Sequence, residues 1–79
     1  MVVTGVIERE GNGYVALCPE IDIASQGDTV EEARSSLREA LELFFETAPP
    51  SEVQNRLHRE VFVTQVDISI GQAARPVGA

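Results

Sequence analysis

The chain contains no lysine. Its six basic residues are all arginine and stand against thirteen acids, for a formal net charge of -7. A surface this acidic gains nothing from counterion release on nucleic acid and is repelled by phosphate, so direct binding of DNA or RNA is not expected. Cysteine is nearly absent as well: Cys18 is alone, which excludes an internal disulfide. There is one histidine, His58, and the scattered acids give no metal-ligand spacing with it, so neither a metal nor a cofactor is expected. No basic N-terminal run leads into a long apolar stretch. Neither secretion nor membrane insertion is indicated, and the sequence reads as cytoplasmic.

What is present fits one small domain. Seventy-nine residues with 43% hydrophobic content can form a single core, and cores of this size are often supplemented by oligomerisation, so a homo-oligomer, a dimer or higher, is expected. The sign of the charge is unevenly spread. Residues 1–46 hold ten acids and three bases, whereas residues 47–79 hold three of each. The acidic surface belongs to the first half.

"VVTGVIER" at 2–9 is rich in β-branched residues, with Val3 and Ile7 on one face and Val2 and Val6 on the other, and reads as a strand covered to some degree on both sides. "EGNG" supplies residues that tolerate positive φ, and "YVALC" continues as a second strand, so the two form a hairpin. Pro19 ends that strand. "IDIAS" at 21–25 alternates again, which makes a third strand of an antiparallel meander. Gly27 allows a sharp bend, and Thr29 with Glu32 forms the T-x-x-E spacing of a capping box.

Val30, Ala33, Leu37, Ala40, Leu41, Phe44 and Ala48 then gather into one apolar stripe at helical spacing, and Pro49-Pro50 stops the helix. "SEVQNRLHRE" has room for one short helical turn. "VFVTQVDISI" at 61–70 has the clearest strand pattern in the chain, with Phe62, Val66, Ile68 and Ile70 opposite Gln65, Asp67 and Ser69. The expected class is α+β with the order βββαβ: a four-stranded mixed sheet, order 3-2-1-4, with one helix across a face. Strand 4 is then a long edge without proline or lysine to blunt it, and its residues Val61, Val63, Gln65 and Asp67 are expected to pair with another chain. Residues 1–70 form the domain, and 71–79 read as a flexible tail.

The run "GYVALCPEIDIASQGDTVEEARSSLREALELFFE" at 13–46 closely resembles the HicB-like antitoxin family. The features that carry the resemblance are Tyr14 leading a strand, the Pro19-Glu20 turn, the Ser25–Thr29 joint, "EEA" at 31–33 and the helix body from Leu37 to Leu43. The resemblance implies a partial ribonuclease-H-like fold and a role in a type II toxin-antitoxin system. There the protein binds a small basic HicA-type toxin that cleaves mRNA, and blocks it. Many members carry a C-terminal DNA-binding domain. This sequence ends nine residues after its last expected strand, and no such domain is expected in it.

Each candidate for chemistry has a structural counter-reading. Cys18, in an apolar strand before proline, reads as a small buried hydrophobe. Glu8, Glu39 and Asp67 are the nearest counterparts of the carboxylates that hold two metal ions in nucleases of the implied fold, but the acidic surface offers no basic groove for a phosphate chain, and fold alone does not confer activity. No enzymatic activity is expected. The outer helix face says more. Glu39, Glu42 and Glu46 lie within about 60° of one another, repel, and sit in the half of the helix where the dipole disfavours negative charge. Leu43 stands beside them, off the apolar stripe. These four residues form the candidate docking patch, with Leu43 as anchor and the acids steering a basic partner. A solvated face kept soluble by its charge is the plain alternative, and a solitary oligomeric interaction module is the alternative function.

Overall fold

A computed structural model describes residues 1–71 of the chain. Three strands come first, β1 (Val6–Glu10), β2 (Gly13–Cys18) and β3 (Ile23–Gly27), followed by α1 (Val30–Thr47) and α2 (Pro50–Arg56). The strands form one antiparallel sheet in the order β1-β2-β3, and the α+β class expected from the sequence holds. Gly11 has a φ of 61° at the first central position of the two-residue β1–β2 loop, where type II′ turns place glycine.

The β2–β3 connection is tighter and longer than the alternation of "IDIAS" suggests. The N–H groups of Ile21 and Asp22 both donate to the Cys18 carbonyl, at 3.4 and 2.8 Å, and Asp22 adopts a φ of 60°. A left-handed residue cannot continue a strand. The third strand therefore starts at Ile23, two residues later than expected, and Ile21 is buried within the turn.

The helix begins as its capping signal requires. Thr29 accepts a hydrogen bond from the Glu32 N–H at 3.1 Å, and the Glu32 carboxylate reaches back to the Asp28 N–H at 2.9 Å. Reciprocal satisfaction of free N–H groups at a helix start contributes about 1 kcal/mol. The end is equally clear, at Thr47 ahead of Pro49. Proline at the first position then opens α2, because its missing N–H is one of the groups a first turn leaves unpaired anyway.

One face of α1 lies on the sheet. Ala33, Leu37 and Leu41 meet Ala16, Cys18 and Ile21, and Val3, Ile7, Tyr14, Ile23, Phe44, Phe45 and Leu57 surround this core in part. Among the described residues, only Ile21 and Cys18 are large side chains buried completely. Burying an aliphatic side chain gains about 1.5–3 kcal/mol, so the core is thin. Cover is also one-sided on β1: Val3 and Ile7 pack inward, whereas Val2 is 96% and Val6 41% exposed, which corrects the expectation of a strand covered on both faces.

The fourth strand is the main correction. Residues 61–70 form no strand, so among the described residues the sheet has three strands rather than the four of the 3-2-1-4 order. Val61 is half-buried, and Val63, Gln65 and Asp67 are exposed. Alternation makes a segment able to form a strand; only a neighbouring strand edge supplies the ladder. The expected tail lies, from residue 72 onward, outside the described residues.

Candidate functional site

A groove of about 800 Å³ runs between the β1–β2 hairpin and the N-terminal half of α1. Two glycines let its walls approach. A Cβ on Gly27 would stand 2.5 Å from the Ala33 nitrogen, and one on Gly13 would stand 2.8 Å from the Gly27 carbonyl oxygen. The glycine of the Ser25–Thr29 joint is therefore required where helix backbone comes down onto strand backbone.

The groove is acidic. Glu10 from the hairpin, Asp28 from the joint, and Glu31, Glu32 and Glu39 from α1 line it, with Tyr14, Gln26, Ser35 and Ser36 between them. Glu31 and Glu32 sit in the first turn, where the helix dipole favours them. Arg9 donates to the Tyr14 hydroxyl at 2.9 Å, and its guanidinium lies 5.2 Å from the Tyr14 ring centre. A basic residue is thereby held on an aromatic face, leaving carboxylates to set the sign of the groove.

The four residues of the expected docking patch follow one another at i, i+3, i+4 and i+7 along one exposed stripe of α1, and the cavities on its two sides divide them. Glu39 lines the acidic groove. Glu42, about 60° round the helix from Glu39, lines the trough beside residues 1–5, and its carboxylate is 3.7 Å from the Arg38 guanidinium. Leu43 is 60% exposed beside Glu39, and Glu46 is exposed at the C-terminal end, where the last turn holds no basic residue. The patch is thus a ridge, and the groove beside it gathers acids that are far apart in sequence. A helical wheel places residues of one helix only, so Glu10 and Asp28 escaped it; the acidic excess of residues 1–46 was the available signal.

Glu20 serves structure instead. Its carboxylate accepts the Thr4 N–H at 3.0 and 2.9 Å and the Thr4 hydroxyl at 2.8 Å. Desolvation acts to raise its pKa, but the hydrogen bonds from Thr4, from its own backbone and from Cys18 together outweigh this and hold the carboxyl below the usual glutamate range. Cys18 is a buried free thiol whose Sγ is 3.5 Å from the Glu20 carboxylate. Burial first, with the neighbouring Glu20 charge adding to it, pushes the thiol up. Cys18 is a small hydrophobe, as its sequence context indicates.

Among the described residues, no three histidine, cysteine or carboxylate side chains are grouped to hold a metal ion; Glu8, Glu39 and Asp67 are not brought together. No helix among these residues is long and apolar enough to cross a membrane.

No family model matches the chain. Over 45 residues it is 51% identical to a UPF0150 protein of Synechocystis, across 54% of this chain and 62% of that protein. It is 42% identical over 45 residues to a UPF0150 protein of Helicobacter pylori, across 56% of this chain and 62% of that one. The chain thus spans less than two thirds of the length of these curated relatives. No solved structure matches it.

Proposed function

We propose that this chain is a HicB-like antitoxin, which binds a small basic HicA-type toxin and blocks its cleavage of mRNA in a type II toxin-antitoxin system. The acidic groove carries the reading: five carboxylates line one concave surface, suited to a basic protein and unsuited to nucleic acid. The likeness to UPF0150 proteins, a HicB-like family, supports it. The mechanism is occlusion. The sheet-and-helix surface covers the cationic RNA-binding face of the toxin, with Leu43 as an apolar contact at the rim, and no reaction is performed. The protein acts in the cytoplasm, and its partial ribonuclease-H-like arrangement requires a fourth strand beside β1.

The test is co-expression with a HicA-type toxin. Growth should be rescued, and purified chain should bind that toxin with an association rate that falls as salt rises. A chain that fails to rescue growth, with no measurable binding of the toxin, rules the reading out. Hydrolysis of RNA by the pure chain would replace occlusion with catalysis.

A further inference from the structure

Residues 61–70 alternate as a strand does, yet they belong to no ladder. Phe62, Val63, Val66 and Ile68 are 85, 72, 75 and 74% exposed. So many large apolar side chains in water, next to unpaired strand-forming backbone, mark a surface that is completed by association.

The root of this arm is fixed. His58 donates its N–H to the Glu20 carbonyl at 2.6 Å, and the Glu20 carboxylate holds Thr4, two residues before β1. The arm therefore leaves the domain beside the start of β1. Among the described residues that strand is an edge, paired with β2 alone. Just ahead of β1 lies a trough of about 810 Å³ between residues 1–5 and α1, floored by Leu37, Leu41 and Phe45, with Arg34, Arg38 and Glu42 on its helix wall. An unpaired strand and an unpaired edge with an apolar floor thus occur in one chain.

We infer that two copies exchange their arms. Residues 61–70 of each add a fourth strand beside β1 of the other and lay Phe62, Val66, Ile68 and Ile70 along its trough. The arm extends from its root and leaves its own edge bare, so exchange keeps the hinge at Arg59 and Glu60 open, whereas closure onto its own β1 would fold the hinge back. Exchange is reciprocal, which gives a closed two-fold interface with no spare edge of this kind. Each copy contributes a ten-residue arm together with an edge and trough of similar extent, about 20 residues a side, the scale of a stable interface. The one charge within 61–70 is Asp67, on the alternate face from Phe62, so no charge enters the trough. This inference does not rest on the toxin reading.

The full chain should sediment as a dimer at micromolar concentration. Phe62→Glu with Ile68→Glu should make it a monomer that keeps the helical circular dichroism signal of α1 and loses only the strand contribution of residues 61–70, since both side chains lie outside the domain core. In dimers assembled from isotope-labelled and unlabelled chains, isotope-filtered contacts from the Phe62 ring to Leu37 and Leu41 methyls should cross between copies. A wild-type monomer, a dimer that survives the double substitution, or contacts found only within one chain would each overturn the exchange. Toxin rescue by the monomeric variant would leave the toxin reading standing, so the two fail separately.

Discussion

Thr4 gives both its N–H and its hydroxyl to the carboxylate of Glu20, sixteen residues away, at distances from 2.8 to 3.0 Å. This clasp ties the segment ahead of β1 to the β2–β3 turn, and the same residue's carbonyl receives His58. The folded-state pKa of Glu20 is depressed, so its stabilising contribution is complete above the ordinary glutamate value of about 4.3 and is lost as the pH falls through the lower, folded value. Glu20→Gln should be less stable than wild type at pH 7, and the gap should narrow as acid is added. Urea denaturation of both proteins between neutral and acid pH measures this; a gap that is constant with pH would assign the clasp no ionic character.

Gly27→Ala places a methyl group where the Ala33 nitrogen and the Glu32 carbonyl carbon already stand, at 2.5 and 2.7 Å. Backbone on both sides cannot step aside as a side chain can. The expected loss is about 1–3 kcal/mol, which for a domain of this size lowers Tm by roughly 4–8 °C per kcal/mol. Gly11→Ala meets no neighbouring atom, and its cost should be that of a positive φ alone, about 1–2 kcal/mol. Thermal melts of the two variants compare steric contact with backbone strain.

Asp22 is held at positive φ while the Arg56 guanidinium donates to its carbonyl and to that of Ile21, both at 3.2 Å, and lies 5.1 Å from the centre of the Phe44 ring. One arginine thus fastens α2 to the turn and to α1. Asp22→Gly should be neutral or slightly stabilising, and Asp22→Val should cost about 1–2 kcal/mol. Arg56→Ala should destabilise by about 1–3 kcal/mol through carbonyls left without their donor. If Arg56→Lys restores the loss fully, the planar fork has no role there.

These positions show what could be read in advance. The hairpin, the helix and its Thr29 cap were legible because each is signalled by residues close in sequence. Asp22 was not, since an aspartate between two isoleucines fits an alternating strand as well as a left-handed turn. The extent of α2 was hidden behind Pro49-Pro50, a pair that stops one helix and equally starts the next. Residues 61–70 carry the pattern of a strand but no statement of which edge receives it. The acidic groove joins residues 10, 28, 31, 32 and 39 across three elements, a proximity that exists only after folding.

Cys18 should resist modification. Its thiol is buried and raised in pKa, so little thiolate forms at pH 8, and attack by a disulfide reagent needs the thiolate. Labelling of native protein should be far slower than labelling in denaturant. A native rate equal to that of a free thiol would mean that the turn around Cys18 opens readily.

The ridge and the groove make opposite demands on charge, and this separates docking from mere solvation. Glu46 lies in the last turns of α1, where no basic residue offsets the negative helix end; Glu46→Lys should raise stability by about 0.3–1 kcal/mol. Glu31 stands in the first turn, where the dipole favours it, so Glu31→Lys should lower stability by a similar amount. For a basic partner seated in the groove, Glu31→Lys with Glu39→Lys should slow association severalfold, most at low salt, whereas Glu42→Lys with Glu46→Lys should change it less. Equal slowing by both pairs would place the partner astride Leu43 on the ridge. No change in either pair would mean that these acids serve solubility, because steering through a charged surface cannot survive its reversal.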